Sequence, residues 1–154
     1  MGIDPGRSGS IVIIDRAGES IMDAIKLSET PKDVADMVAI YKHGITFACL
    51  EKVGSRPFQG LSSTFKFGWS AGFCEALLVC NAIRFETYVP SLWMRKMKIL
   101  TPGIKGSQKK NIHKRRAQEL FPNLKPSRFT HAYVDALLLA EFARRLSLAL
   151  ELPK

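Results

Sequence analysis

The chain has 154 residues, 46% hydrophobic and 24% charged, an ordinary balance for one folded unit with a real core. No apolar run approaches the roughly 18 residues of a membrane-spanning helix, and Asp4 interrupts the start where a basic-then-apolar leader would lie. The net charge of +9 is confined: 11 Lys or Arg and one acid, Glu119, fall between Met94 and Arg128, leaving 12 basic and 13 acidic residues elsewhere, so a basic patch suited to a phosphate backbone sits on a nearly neutral body.

In chain order, Gly2-Ile3-Asp4 reads as a strand that ends in a carboxylate. Pro5-Gly6 and Gly9 supply a tight turn, and Ser10 to Asp15 is the returning strand. Asp-Pro-Gly is also ordinary turn chemistry, so Asp4 carries no function by itself. Arg16 to Glu19 forms a second turn and Ser20 to Lys26 a third strand, giving an antiparallel meander. Thr30, Pro31 and Asp33 mark a helix start, Val34, Met37, Val38 and Tyr41 keep helical spacing, and His43-Gly44 closes it.

Ile45 to Leu50 is an apolar run expected of a strand buried on both faces, and it ends in Glu51, repeating the logic of Asp4. A loop from Lys52 to Gly60 follows, then a helix from Leu61 to about Asn81. Gly68 and Gly72 share one face of that helix with Phe65, Trp69 and Phe73, which suits internal packing or a subunit contact. Ile83 to Val89 alternates as a fifth strand, and Pro90-Ser91 leads a short helix through Met97. Leu100 to Ser107 is a loop, with Ser107 capping a helix from Gln108 to Leu120 that carries Lys109, Lys110, Lys114, Arg115 and Arg116. After a second basic loop, Thr130 caps a last helix from His131 to about Leu150, with Val134, Leu137, Leu138, Phe142 and Leu146 as its apolar stripe. The order βββαβαβ followed by helices predicts a mixed sheet with helices on its faces. Cys49, Cys74 and Cys80 lie in apolar runs without zinc-type spacing, as expected of buried, reduced thiols in an intracellular protein.

His131 and Asp135 are four residues apart and point from one side of the last helix's first turn. If that side faces the open strand ends, Asp4, Glu51, His131 and Asp135 form one cluster. Close carboxylates repel, and the counter-charge suited to oxygen-rich donors is a hard divalent cation such as Mg²⁺ or Mn²⁺. Two such ions about 3.5–4 Å apart activate water and stabilise the leaving oxygen in phosphodiester cleavage. Each residue also has a plain explanation: a cap for His131, a helix-dipole partner for Asp135, an ion pair with Lys52 or Arg56 for Glu51.

Several blocks, in order, resemble the RuvC family of Holliday-junction resolvases within the ribonuclease-H-like superfamily, especially its phage and organellar branches. They are Gly2-Ile3-Asp4-Pro5-Gly6, Ala48-Cys49-Leu50-Glu51-Lys52, Ser62 to Gly68, Tyr88-Val89-Pro90-Ser91, Lys105-Gly106 with Gln108-Lys109-Lys110, and Val134 to Leu138. The resemblance implies one nuclease domain over residues 1–154, built on a five-stranded mixed sheet of three antiparallel then two parallel strands, flanked by helices. It implies a homodimer, two Mg²⁺ or Mn²⁺ ions per site, and paired symmetric nicks across a four-way DNA junction. Asp4, Glu51 and Asp135 take the ligand positions. The family has a further acid or His three residues before the last acid in bacterial members; that position is Ala132 here, so the role passes to His131, four before, as ligand or water-positioning group.

Lys105, Lys109, Lys110, Lys114 and Arg116 are the expected phosphate contacts. Arg56 and Phe58 lie in the loop after Glu51, where Phe58 suits stacking on a junction base or anchoring the loop. Phe65, Gly68, Trp69, Gly72 and Phe73 fall where the family dimerises. A bacterial or phage-infected cytoplasm is the expected address, with an organelle as an alternative. Only three residues precede Asp4, a shorter strand than the family has, so added apolar residues there are expected to raise stability. Two other readings compete: a broader nuclease on branched DNA or RNA–DNA hybrid, and a junction-binding module whose site is degenerate because His131 replaces an acid.

Overall fold

Alternation along the strands decides how this molecule is layered. A computed structural model of the chain describes residues 1–6, 8–54, 60–104, 106–124 and 133–151. Its strands are β1 (Gly2–Asp4), β2 (Ser10–Ile14), β3 (Ile21–Lys26), β4 (Ala48–Glu51) and β5 (Phe85–Tyr88), in the spatial order β3-β2-β1-β4-β5. β1 pairs antiparallel with β2, and β2 with β3; β1–β4 and β4–β5 are parallel. This is the five-stranded mixed sheet that the order of elements predicts. Helices α1 (Pro31–Tyr41), α2 (Leu61–Cys80), α3 (Pro90–Lys96), α4 (Gly106–Leu120) and α5 (Val134–Glu151) cover it.

Side chains of successive strand residues point to opposite faces. Ile3, Ile11, Ile13, Ala48 and Leu50 pack with Val34, Met37 and Val38 of α1 and Cys74, Leu77 and Leu78 of α2. Val12 and Cys49 point the other way, into a core built by Trp93, Met94, Met97, Ala117, Phe121 and the length of α5. β4 is buried on both faces, as its unbroken apolar run predicts. Val134 and Ala136 to Ala143 are all buried, so the first half of α5 is enclosed nearly all round between the sheet and its neighbours. Burying a leucine such as Leu137, Leu138 or Leu139 contributes about 1.5–3 kcal/mol.

Gly2 explains how α5 comes so close. A Cβ there would lie 2.1 Å from Ala140 N and 2.2 Å from Ala136 O, so only glycine lets the α5 backbone rest on β1. Gly6 has φ of +128°, and its N–H donates to Ser70 Oγ at 3.0 Å, which ties the turn after Asp4 to α2.

Several expected boundaries shift. The fourth strand begins at Ala48 rather than Ile45, and the fifth spans Phe85–Tyr88 rather than Ile83–Val89. α3 starts at Pro90 with Val89 as N-cap, because proline's fixed φ suits a first helical position and moves the start ahead of Ser91. Thr30 caps α1 as expected, accepting from the Asp33 N–H. α4 opens at Gly106, so Ser107 lies inside the helix. Cys49 and Cys74 are buried, but Cys80 is exposed, because it ends α2 on the face turned from the sheet. No described helix is long and apolar enough to cross a membrane.

Candidate active site

The pleat that buries Gly2 under α5 also aims Asp4 at α5, because residues two apart share a face. Glu51 relates to Cys49 in the same way. The parallel register Gly2↔Cys49 and Ile3↔Leu50, continued one step, sets Asp4 beside Glu51 at the C-terminal ends of adjacent strands. α5 runs back along β1 with Ala136 and Ala140 over Gly2, which leaves Asp135, in its first turn, at the Asp4 end. Two strand ends and one helix start therefore gather three carboxylates.

The electrostatics follow from this placement. Burial pushes the Asp4 carboxyl well above the usual carboxylate range, and the charges of Glu51 and Asp135 push it the same way; Lys109 opposes them. Trp93 Nε1 donates to Glu51 Oε2 at 2.8 Å, and His113 Nδ1 lies 2.6 Å from Asp135 Oδ1. His113 is 2% exposed, and the Trp93 and His113 rings meet edge to face at 6.3 Å.

Among the described residues no three His, Cys, Asp or Glu side chains converge closely enough to hold a metal ion. Glu51 and Asp135 act on Asp4 through their charges, with Asp135 turned to His113 and Glu51 to Trp93. Their chemistry nonetheless fits a hard divalent cation. The three described donors are carboxylate oxygens, and a cation would relieve the repulsion that adds to burial in raising Asp4. His131 lies outside the described residues, as do Arg56, Phe58 and Lys105.

The remaining expected residues fall on two surfaces. On α4, Lys110 is exposed and Lys109 and Lys114 half-buried, while Lys109 is close enough to Asp4 to favour its charged form. Arg116 is anchored: its Nε donates to Met97 O at 3.0 Å and its guanidinium pairs with Glu119 at 3.0 Å. On α2, Leu61 (91% exposed), Phe65 (76%) and Trp69 (55%) stand in solvent. Trp69 stacks on half-buried Phe73 at 5.5 Å, and a Cβ at Gly68 or Gly72 would meet nothing. These residues form one open apolar face.

Trp93 and His113 are the residues that sequence reasoning passes over. The helix with Lys109, Lys110 and Lys114 reads as a charged face. Yet Ile112, Ala117 and Leu120 mark an inward stripe at helical spacing, and His113 lies within it. A histidine on the apolar side of a basic helix is the available signal.

No protein-family model matches this sequence, and no curated protein matches it. Among solved structures, the chain is similar to Thermus thermophilus RuvC, both alone and in complex with a Holliday junction substrate. In each case the identity is 16%, the TM-score 0.57 and the coverage 96% of this chain; the match covers 92% of the RuvC chain in the complex and 93% of the other. At that identity the likeness is one of fold: this chain has the RuvC-type, ribonuclease-H-like architecture.

Proposed function

We propose that the chain is a divalent-cation-dependent endonuclease that resolves four-way DNA junctions by paired nicks. The observation that carries this reading is the placement of Asp4, Glu51 and Asp135 at one end of the sheet, where burial, and then the charges of Glu51 and Asp135, oppose ionisation of Asp4. The RuvC structure in complex with a Holliday junction substrate supports the choice of DNA substrate.

Asp4, Glu51 and Asp135, with His131 as the fourth candidate, would hold Mg²⁺ or Mn²⁺. When bound, two such ions would activate water and stabilise the leaving oxygen of the phosphodiester. The chain's own residues do the rest. α4 sets Lys109 beside the acids and Lys110 and Lys114 further along, so phosphate meets positive charge before it reaches the carboxylates. Arg116 adds to that field from its anchored position. The open α2 face, with Phe65, Gly68, Trp69, Gly72 and Phe73, joins a second copy, because two symmetric cuts require two sites. Phe58 is assigned to stacking on a base at the junction centre, and Arg56 to DNA contact.

The test is incubation of the purified chain with a mobile four-way junction, matched duplex, flap and RNA–DNA hybrid, in Mg²⁺ and in Mn²⁺. Nicking of the junction in preference to the other substrates is expected. Preference for the hybrid or the flap would move the assignment to a broader nuclease, and junction binding without cutting in either metal would mark a degenerate site.

A further inference from the structure

Trp93 and His113 come from separate helices, α3 and α4, and both are buried in the core between those helices and α5. Each directs a ring nitrogen at a different acid of the candidate site, Trp93 at Glu51 and His113 at Asp135. A carboxylate at Asp135 only accepts, so in that form of the pair the Nδ1 of His113 carries the hydrogen. The rings also touch each other edge to face, with an interplanar angle of 71°. Packing alone does not call for these residues. A phenylalanine and a leucine would fill such a core without burying polar atoms, and His113 Nε2 is buried with no hydrogen-bond partner among the described residues.

From this geometry we infer that Trp93 and His113 form a rigid bracket whose two ring N–H groups set the orientation of Glu51 and Asp135 around Asp4. They are positioning residues for cation uptake, and the inference rests on the nuclease reading above. One donated hydrogen fixes one oxygen of each carboxylate and limits its rotation. Edge-to-face packing locks the two donors to each other. The bracket also makes the basic helix part of the acidic site. Lys109 stands one turn before His113, so the helix that meets phosphate is the one that holds Asp135.

The test is Mn²⁺ titration of the metal-free chain by calorimetry, with thermal melts on each protein. His113→Leu and Trp93→Phe are each expected to weaken Mn²⁺ binding by about 10–100-fold. His113→Asn retains a side-chain donor and is expected to stay within about threefold of the parent. Affinity for a four-way junction without divalent metal should not change, since neither ring is on the surface. Should His113→Leu fail to fold, Trp93→Phe keeps an aromatic ring in place and reads the same quantity at the other carboxylate. Folded variants that bind Mn²⁺ as the parent does overturn the bracket alone. An asparagine variant as weak as the leucine variant also overturns it, because ring packing would then set the affinity. A parent chain that takes up no Mn²⁺ removes the proposed function and the bracket together.

Discussion

Asp4 sits where its ionisation is opposed by burial and by two neighbouring carboxylates. Its pKa in the folded chain lies well above the value of 3.8 for a free side chain, so between those two values the folded state binds the proton more tightly than the unfolded state. Metal-free stability therefore falls as pH rises through the folded pKa. Asp4→Asn removes that penalty: the variant should melt higher than the parent at neutral pH, and the gap should shrink as pH is lowered. A gap that stays flat with pH would show that Asp4 is not under this strain. The three acids are legible in the sequence because each is an abrupt polar residue at the end or start of an apolar element. Trp93 and His113 are not legible in the same way. Their partners lie 42 and 22 residues away, and only the packing of α3 and α4 on α5 brings them together.

At the level of elements, the contact between β1 and α5 positions the site, and Gly2 permits it. Gly2→Ala would place a methyl group against the α5 backbone, which cannot move aside as a side chain can. A loss of about 3 kcal/mol or more is expected in urea unfolding; a loss under about 1 kcal/mol would mean that α5 rides further from the sheet than described. α2 carries the other element-scale prediction. Trp69 lies in the middle of an exposed apolar face, so Trp69→Glu should turn the proposed dimer into a monomer by light scattering, with thermal stability little changed. A dimer that persists would place the subunit contact elsewhere. The sequence shows the glycine and aromatic spacing of α2 but not which side faces the sheet. That depends on Ser70, Cys74, Leu77 and Leu78, which the fold buries and which are no more apolar than the residues left outside. The mixed sheet was legible from the meander and the later strand–helix alternation, whereas its spatial order β3-β2-β1-β4-β5 came only with the fold, and strand ends moved by up to three residues where apolar character continues past the paired segment.

For the whole molecule, the separation of charge matters most. The excess positive charge is confined to residues 94–128, and α4 lays part of it next to the acidic end of the sheet. Junction affinity should fall steeply with salt, and Lys110→Ala with Lys114→Ala should reduce the slope of log affinity against log salt by about 0.9 per lost phosphate contact. An unchanged slope would put the DNA on another face. The most direct measurement of the central claim maps the nicks on a four-way junction with each strand end-labelled in turn, in Mg²⁺ and in Mn²⁺, for the parent and Asp4→Asn. The parent should cut two opposed strands at symmetric positions, and Asp4→Asn should bind the junction equally well while cutting it on the order of 10³-fold more slowly or worse. Cleavage that survives Asp4→Asn at the parental rate would contradict the account.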